Sequence, residues 1–579
     1  MDVQAPGQAF AATFVDQLAA AGLRAACVCP GSRSAPLAMA LARHGKIRVY
    51  VHVDERSGGF FALGLALATR TPVAVLTTSG TAAAELYPAV VEARLGRVPL
   101  VVLTADRPPE LHDNGANQSI DQARLYGSFP RWWCDAGVPE RFPGAPDHWR
   151  RLAVRALAEA AGPPAGPVHV NVPFREPLTP EPGSPARAEP PARPVRHVQG
   201  LAAPPPGAAG RLAASFERAR RPVVVAGSMA GGERLAGTVE ALARAGAPVL
   251  AEPTSGLRTA GVEGVVGEYD LVLRHLPWAR AHAPDLVLRL GSAPTSRALA
   301  SWLAEHAPPT WLVDPDRAWA DPGGLASEVV ACEPGPLLGE LASAVRPQKR
   351  WLGEWKRASG AASRALERGL EGSQLHEGHV VRAISRALPA GATVVLGSSM
   401  AVRDADAFWP ASGAGTRFLA NRGASGIDGL VSTALGAAAG AAPGPLVALL
   451  GDLSLYHDMN GLWAARRHGL AATFVVLDND GGGIFSFLPP AAHPDVFEEI
   501  FATPAGLRME DVARLHGLAF TSVEAAADLE PALRASVGSG LASLVAVRFT
   551  REASLAGHRA AWQAVAAALG GAATTLEGP

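Results

Sequence analysis

Cysteine and lysine are scarce in this sequence. Only four cysteines occur in 579 residues, and Cys27 and Cys29 are spaced C-x-C, so the chain has neither a disulfide framework nor a C-x-x-C redox motif. Sparse cysteine fits a reducing compartment, and we predict a cytoplasmic protein. Lysine occurs three times among 52 basic residues, so arginine carries nearly all of the positive charge.

A strong net charge is also missing, and we expect neither a membrane segment nor a secretory signal in this sequence. The formal net charge is -1, which gives no global field for recruiting nucleic acid or an anionic membrane. The longest uncharged run, residues 430–450, is interrupted by proline and glycine, so it predicts a helix, a turn and a buried strand. No basic residue precedes Arg24, unlike a secretory signal. We expect neither nucleic acid nor a membrane as a partner.

Two motifs of common enzyme classes are missing as well. The sequence has no G-x-S-x-G nucleophile elbow, which argues against a serine hydrolase of the α/β type. It has no G-x4-G-K-[ST] phosphate loop, which argues against a P-loop nucleotidase.

Continuous apolar runs alternate with longer small-residue stretches along the chain; they include PVAVLTTS, PVVVAGS, TVVLGSS and PLVALLGD. Strands without polar alternation, separated by helices, indicate parallel sheets covered on both faces. Two compositional breaks interrupt this pattern, one rich in proline, alanine and arginine at 176–207 and one polar and helix-prone at 345–378. We predict an α/β protein with three doubly wound parallel-sheet domains at 1–180, 208–345 and 372–579.

Polar turns follow two of the apolar runs in the third predicted domain. Asp452 comes directly after one run, and Asn479, which opens an N-D-G-G-G turn, follows the next run 27 residues later. The carboxyl ends of parallel strands meet at one edge of a sheet. Carboxylate and amide oxygens suit Mg²⁺, and glycines allow an anion to approach the backbone. Either turn alone fits a helix cap, but the combination favours a metal-and-diphosphate site.

This pattern resembles the signature of thiamine-diphosphate enzymes, in which GD is followed after about 25–30 residues by NN. The resemblance implies the fold of those enzymes, with thiamine diphosphate as cofactor. It also implies that Asp452, the Asn479 side chain and the Gly481 carbonyl bind Mg²⁺ or Mn²⁺. The chain departs from the signature at Asp478, which stands where the family has the first asparagine.

A further acidic residue, Glu55, follows the run IRVYVHV and precedes a small-residue helix. An acidic residue there also stabilises a helix dipole, so position alone leaves its role open. By the same resemblance, Glu55 protonates the aminopyrimidine ring of the cofactor, and the turn at Gly80 lines that pocket. In the family this glutamate usually comes from the partner subunit. We therefore expect a homodimer or a dimer of dimers with the active site at the subunit interface.

Longer motifs resemble one family within this class. They are PGSRSAPL from Pro30, LTADRP from Leu103, NQSIDQ from Asn117 and NRGASGIDG from Asn421. In order and over nearly the whole chain they are similar to the 2-succinyl-5-enolpyruvyl-6-hydroxy-3-cyclohexene-1-carboxylate synthases of menaquinone biosynthesis. The resemblance implies a transferase that decarboxylates 2-oxoglutarate and adds the succinyl group to isochorismate in a 1,4-fashion.

Both of those substrates are dicarboxylates, and the planar fork of arginine binds carboxylates in a bidentate manner. The resemblance implies the following substrate residues: Ser32, Arg33 and Arg107 for isochorismate; Arg403 and Arg422 for the succinyl side; Asn117 and Gln118 as hydrogen-bonding groups; and Ile484, Phe485 and Leu488 as an apolar wall. Arg297 stands where the family usually has a lysine that reaches isochorismate. The residues expected to be catalytic are Glu55, Gln118, Arg33, Arg403 and Arg422.

The resemblance also assigns cofactor contacts. Ile427 is expected to wedge beneath the cofactor, and Ser399 and Ser454 to contact the diphosphate, although either serine fits a helix cap. The remaining cofactor contacts implied are Glu55, Gly80, Ser425, Asp452, Leu453, Asn479 and Ile484.

Two other functions stay open at this point. Another thiamine-diphosphate 2-oxoacid decarboxylase or carboligase would take small monocarboxylates and would not need an arginine-rich pocket. A catalytically silent binding protein on the same fold would not need Glu55 and Asp452.

Overall fold

The computed structural model describes residues 5–183, 185–345, 350–440 and 444–570. These residues form two compact units. The first contains the described residues of 1–200, 421–442 and 457–470, and the second contains those of 201–420, 443–456 and 471–579. Residues 1 and 579, the outer bounds of the predicted domains, lie outside the described residues. The predicted domain bounds stay a prediction.

The first unit contains a six-stranded parallel sheet. Its strands are β1 (Ala25–Val28), β2 (Arg48–Val51), β3 (Val73–Thr77), β4 (Leu100–Asp106), β5 (Trp132–Asp135) and β6 (Pro167–Pro173), in the order β2-β1-β3-β4-β6-β5. The α-helices along this part of the chain are Pro6–Ala20, Ala35–Arg43, Glu55–Thr69, Thr81–Ala84, Tyr87–Gly96 and Ala145–Ala161.

The second unit contains two more parallel sheets. The five-stranded one has β7 (Pro222–Ala226), β8 (Val249–Ala251), β9 (Leu286–Leu290), β10 (Thr310–Val313) and β11 (Ala326–Val330), in the order β11-β10-β9-β7-β8. The α-helices here are Ala208–Arg218, Ala236–Arg244, Tyr269–Arg274, Leu276–Ala281, Arg297–His306, Pro334–Ala344 and Arg350–Glu371.

The third sheet has six strands. They are β12 (Thr393–Leu396), β13 (Arg417–Ala420), β14 (Leu446–Gly451), β15 (Thr473–Asp478), β16 (Ala519–Val523) and β17 (Ser543–Arg548), in the order β13-β12-β14-β15-β17-β16. The α-helices along this part of the chain are Glu377–Ala387, Met400–Phe408, Leu430–Gly440, Asp452–Asp458, Trp463–His468, Pro494–Val496, Met509–His516, Ala526–Gly538 and Arg551–Ala568.

The predicted α/β class is confirmed, and every apolar run assigned to a strand forms one. The strands that the sequence did not reveal are β1, β5, β11, β13 and β16, and all of these except β1 lie at a sheet edge. The unpredicted edge strands are poorly buried: β16 has one fully buried residue of five, and β5 has none of four. An edge strand therefore does not need the continuous apolar run on which the prediction rested.

The two predicted breaks have different structures. The described residues of 176–207 form neither helix nor strand and are mostly exposed, as expected of an extended linker. Residues 345–378 instead contain the helix Arg350–Glu371, whose face with Trp351 and Trp355 is buried. Both tryptophans belong to one apolar core that runs from the second sheet to the third.

Two helices of the first unit pack backbone against backbone. A Cβ added to Gly64, on the helix Glu55–Thr69, would overlap the carbonyl of Thr433 on the helix Leu430–Gly440. In the same way, a Cβ on Gly436 would overlap the carbonyl of Phe61. Only glycine fits at both positions, so this contact fixes the helix that begins at Glu55 against the segment that follows the NRGASGIDG motif.

No helix in the described part of the chain combines the length and the apolar character that crossing a bilayer requires.

Candidate active site

The carboxyl edge of the third sheet carries the predicted metal ligands. The neighbouring strands β14 and β15 end at Gly451 and Asp478, directly before Asp452 and Asn479. The backbone N–H of Gly481 donates to Oδ2 of Asp452 at 2.8 Å, and the N–H of Leu453 donates to Oδ1 at 2.7 Å. The strand ends therefore bring Asp452 and the glycine turn into contact, as the spacing predicted.

The donor set at this edge fits a divalent cation. The side-chain oxygen of Asn479 is buried and accepts no hydrogen bond from any described residue. Asp452 is 4% exposed, and burial, helped by the charges of Asp478 and Asp480, raises the pKa of its carboxyl to about 6 despite the two backbone hydrogen bonds. A bound cation would satisfy the orphaned amide oxygen and offset the buried negative charge.

The backbone conformation at position 481 and the space around it allow only glycine. Its φ is +134°, and a Cβ there would overlap the carbonyl of Ala502. Its own carbonyl, the third expected ligand, accepts the N–H of Gly483 at 2.9 Å. Because a carbonyl oxygen has two lone pairs, the second remains for a metal.

The departure from the family signature has a structural partner. Oδ2 of Asp478 lies 3.1 Å from Nε of Arg548, the residue opposite it on the adjacent strand β17. The side chain at this position therefore forms an ion pair across the sheet edge, and the ligand position Asn479 is unaffected.

Glu55 lies at the N-terminus of its helix, but the capping role belongs to Asp54, whose Oδ1 accepts the N–H of Ser57 at 3.1 Å. Glu55 borders a cavity of about 560 Å³, which Gly31, Thr78 and Gln118 also line. The structure thus brings together Glu55 and Gln118, two of the residues expected to be catalytic. Burial and the neighbouring acids raise the pKa of the Glu55 carboxyl.

The buried side-chain amide of Gln122, a residue for which the sequence predicted no role, holds the turn at Gly80. The N–H of Gly80, where φ is +83°, donates to Oε1 of Gln122 at 2.9 Å, and Nε2 of Gln122 donates to Asn171 at 2.8 Å. Ser79 donates to the carbonyl of Gln118 at 2.9 Å. Gln122 lies within the motif that begins at Asn117, but only its hydrogen bonds in the folded chain show that it orders the turn.

Arg33 and Arg107 lie close together in the first unit. Arg33 is 8% exposed, its Nη1 donates to the carbonyl of Phe174 at 2.8 Å, and its Nε has no hydrogen-bond partner among the described residues. Burial and the charge of Arg33 both lower the pKa of Arg107. Arg107 also donates to Ser79. Glu176, whose Oε1 lies 3.6 Å from Nη1 of Arg33, partly offsets the repulsion between the two guanidinium groups, and an anionic ligand would offset it further. Ser32 and Asn117 are exposed.

The NRGASGIDG segment belongs to the same compact unit as Glu55. Arg422, Ser425 and Ile427 are half-buried in it, and Ser425 has the left-handed φ of +62°. Such a φ is uncommon outside glycine, so the surrounding structure must hold this segment in place.

In the second unit, Arg403 lies on the helix Met400–Phe408, and its Nη1 donates to the carbonyl of Ser399 at 2.5 Å. Ser399 has a φ of +66°, and its side chain makes no capping hydrogen bond to this helix, so the cap interpretation fails there. Arg297 and Arg403 line one small cavity together with Phe487. Ser454 is buried in the helix Asp452–Asp458.

The expected apolar wall lies on a short 3-10 helix, Gly483–Phe487, and the residue after it. Ile484, Phe485 and Leu488 are all half-buried. The ring of Phe485 packs against Phe501, with a centroid separation of 5.6 Å. These side chains are therefore only partly buried and keep some surface that a ligand could contact.

Three family models match the chain. The model for the N-terminal TPP binding domain of thiamine pyrophosphate enzymes matches residues 8–125, that for the middle domain 210–396, and that for the C-terminal TPP binding domain 400–547. The structure of benzoylformate decarboxylase from Polynucleobacter necessarius aligns with a TM-score of 0.71 and 17% identity, over 94% of this chain and 99% of that one. That likeness shows the fold alone. The fold and the three family-model matches together place the chain in the class of thiamine pyrophosphate (thiamine diphosphate) enzymes.

Curated relatives give the particular family. Proteins named 2-succinyl-5-enolpyruvyl-6-hydroxy-3-cyclohexene-1-carboxylate synthase are 44% identical in Geobacillus kaustophilus (96% of this chain, 97% of the relative) and 42% identical in Myxococcus xanthus (97% and 98%). The relative of that name in Halobacterium salinarum is 41% identical, over 94% of this chain and 96% of its own length. The chain belongs to this synthase family.

Proposed function

We propose that this chain decarboxylates 2-oxoglutarate on thiamine diphosphate and adds the succinyl group to isochorismate, yielding 2-succinyl-5-enolpyruvyl-6-hydroxy-3-cyclohexene-1-carboxylate and CO2 for menaquinone biosynthesis. The observation that carries the proposal is the adjacent pair Arg33 and Arg107, one of them buried. Such a pair suits a dicarboxylate and is unnecessary for the small monocarboxylates of other 2-oxoacid decarboxylases. The names of the curated relatives support the same reaction.

The cofactor and its metal are assigned to residues as follows. Asp452, Asn479 and the Gly481 carbonyl would hold Mg²⁺ or Mn²⁺, a hard cation that suits these oxygen ligands together with phosphate oxygens. The remaining cofactor contacts are Gly80, Ser399, Ser425, Ile427, Leu453, Ser454 and Ile484. When bound, thiamine diphosphate would supply a carbanion nucleophile for the 2-oxo group and an electron sink for the negative charge left by loss of CO2.

Glu55 holds the proton on which this chemistry depends. Its raised pKa keeps the proton on the carboxyl to a higher pH than for an exposed glutamate, so it can share that proton with a ring nitrogen of the cofactor. Gln118, in the same cavity, hydrogen-bonds the substrate or the species left after decarboxylation. Asn117, which precedes it, contributes a further hydrogen bond.

The two substrates are bound by different arginines. Arg403 and Arg422 bind the carboxylate of the succinyl side, and Arg33 and Arg107, with Ser32, bind the carboxylates of isochorismate. Arg297 supplies the charge that a lysine gives in other members of the family. Ile484, Phe485 and Leu488 form the apolar wall of the pocket, which excludes water from the reacting atoms.

We further propose a homodimer or a dimer of dimers in the cytoplasm, with the active site at the subunit interface. In that arrangement Glu55 of one subunit acts on the cofactor whose metal is held by Asp452 of another.

The reaction is tested by measuring CO2 release from 2-oxoglutarate with thiamine diphosphate and Mg²⁺, with and without isochorismate. Strong stimulation by isochorismate, with its matched consumption, is the expected result. Decarboxylation that is indifferent to isochorismate would assign the chain to an oxoacid decarboxylase with another acceptor. Turnover of pyruvate without turnover of 2-oxoglutarate would contradict the role given to the arginines.

A further inference from the structure

One buried carboxylate in the first unit binds three consecutive backbone amides of the NRGASGIDG segment. Glu92 lies on the helix Tyr87–Gly96 and is 4% exposed. Its Oε1 accepts the N–H of Gly423 at 2.7 Å. Its Oε2 accepts the N–H of Ala424 at 2.7 Å and that of Ser425 at 3.4 Å. A single side chain therefore fixes the main chain of three successive residues.

The contact is closely fitted on both sides. A Cβ added to Gly423 would lie 2.6 Å from the carbonyl oxygen of Glu92 and 2.6 Å from the nitrogen of Gly96. The segment can thus approach the helix only because residue 423 is glycine. A buried carboxylate is costly unless it is hydrogen-bonded, and here backbone N–H groups provide those bonds.

The segment is also fixed at its two ends. Nδ2 of Asn421 donates to Oγ1 of Thr433 at 3.0 Å. At the other end, Gly429 lies so close to the ring of Phe60 that a Cβ there would overlap the ring. Phe60 belongs to the helix that begins at Glu55. Glu92 binds the middle of the segment, between these two attachments.

We propose that Glu92 is a positioning residue, which fixes the backbone of residues 423–425 so that Arg422 meets the succinyl carboxylate and Ile427 meets the cofactor. This inference rests on the proposed function. Arg422 directly precedes Gly423, whose N–H donates to Glu92 at 2.7 Å. That bond therefore sets the position of the main chain from which the Arg422 side chain extends. The left-handed Ser425 is the third amide in the set, and its bond to Glu92 offsets part of its backbone strain.

The test variant is Glu92→Gln. Glutamine keeps the volume and one acceptor oxygen, but its NH2 group would face a backbone N–H, so at least one charge-assisted bond is lost. The matched control is Asp147→Asn, which alters another buried carboxylate of this unit whose Oδ1 accepts two backbone N–H groups, from Ala192 at 2.9 Å and Arg193 at 3.2 Å. Those amides belong to the linker and not to the NRGASGIDG segment.

We expect Glu92→Gln to raise the KM for 2-oxoglutarate about 10-fold and to weaken thiamine diphosphate binding, with the KM for isochorismate changed less than about twofold. Asp147→Asn should leave all three values near those of the wild type. In a double-mutant cycle, Glu92→Gln should change the KM for 2-oxoglutarate much less in an Arg422→Ala background, because residues that act as a unit are not additive.

A second readout does not depend on turnover. Hydrogen exchange of the amides of 423–425 should be slow in the wild type and at least 10-fold faster in Glu92→Gln, with the amides of the helix Glu55–Thr69 unchanged. If Glu92→Gln does not fold, Glu92→Asp, which keeps the charge but shortens the reach, replaces it, and slow exchange of the three wild-type amides remains required.

Three results would overturn the inference: equal changes in KM for both substrates, a loss of thermal stability with unchanged KM values, or fast exchange of the three amides in the wild type. If the wild type itself fails to convert 2-oxoglutarate and isochorismate, the proposed reaction is wrong. In that case the exchange rates and thiamine diphosphate binding still decide whether Glu92 orders the segment.

Discussion

His558 lies with its Nε2 2.9 Å from Oδ1 of Asp404 and its Nδ1 2.9 Å from the carbonyl oxygen of Ser554. Because a carboxylate and a carbonyl only accept, both ring nitrogens donate and the imidazole is charged. Glu377 lies 3.8 Å from Nδ1. His376, Glu377 and His558 could by proximity suggest a metal site, but both nitrogens of His558 are already engaged. The group is instead a buried ion cluster whose Asp404 lies on the helix Met400–Phe408, next to Arg403.

This cluster predicts how stability depends on pH. Burial alone would lower the pKa of His558, but the bond to Asp404 and the charges of Asp404 and Glu377 outweigh it and raise the pKa to about 9. The folded pKa is higher than that of an exposed histidine. The stabilisation is therefore complete below pH 6.5 and is lost as the pH rises through 9. Burial raises the pKa of Glu377 to about 7, so its ionisation in the folded state lowers stability as the pH rises from about 4.5 to 7, below the range in which His558 titrates.

We expect the wild-type free energy of unfolding, measured in urea, to fall between pH 7 and pH 9. His558→Gln should lower it by about 3 kcal/mol at pH 6.5, because one partner of a buried pair is removed, and should abolish most of the fall above pH 7. His282→Gln, which leaves the cluster intact, should keep the wild-type pH profile. If the free energy of unfolding of His558→Gln still fell steeply above pH 7, a group other than His558 would be responsible for the pH dependence.

Glu55→Gln should keep the fold and most of the thiamine diphosphate affinity but reduce kcat about 10²- to 10⁴-fold, because the amide cannot exchange a proton with the cofactor. Circular dichroism, cofactor titration and CO2 release measure these three properties. The matched control is Glu85→Gln, which removes a carboxylate from the same cavity and should change kcat less than about fivefold. Near-normal turnover of Glu55→Gln would remove Glu55 from its proposed role.

Arg107→Ala should impair isochorismate use more than decarboxylation. Losing a charged hydrogen-bonding group should raise the KM for isochorismate about 10- to 100-fold. The rate of the first CO2 released from 2-oxoglutarate in a single turnover should change little. Arg175→Ala removes an exposed arginine that pairs with Glu110 in the same unit, and serves as the control. Equal effects on both half-reactions would contradict the proposed division of the arginines.

Asn479→Leu should separate metal binding from folding. The buried side-chain oxygen of Asn479 has no hydrogen-bond partner among the described residues, so an apolar side chain of similar size should not lower the melting temperature without metal. The stabilisation that Mg²⁺ and thiamine diphosphate add together should disappear. Asp480→Asn, in the same turn, should keep it. A variant that still gains the wild-type increment from Mg²⁺ would exclude Asn479 as a ligand.

Co-expression of two inactive variants tests the shared active site. Consider a purified heterodimer of Glu55→Gln and Asp452→Asn subunits. If each active site takes Glu55 from one chain and Asp452 from the other, one of the two sites carries both substitutions and the other carries neither. About half of the wild-type activity per dimer should then return. If each site lay within one chain, both sites would carry a lesion and no activity would return. Homodimers of each variant, carried through the same purification, set the baseline.

The sequence revealed the features that are continuous along the chain. Interior strands such as β14 and β15 are uninterrupted apolar runs, and Asp452 and Asn479 follow them directly, so their meeting could be predicted from the topology of parallel sheets. Residues whose role depends on distant partners could not be found in this way. Glu92 is separated from Gly423 by 331 residues, and nothing near it in the sequence distinguishes it from a surface helix acid.

The helix that begins at Glu55 and the helix Leu430–Gly440 touch through Gly64 and Gly436, where only a hydrogen atom separates one backbone from the other. These two positions in the helix contact therefore tolerate almost no substitution, since even alanine would force the helices apart. Under the proposed function, we expect substrate preference to vary at side chains such as Arg107 or Arg297, which are not part of this helix contact. Engineering of a new acceptor should accordingly begin with those arginines and leave the glycines untouched.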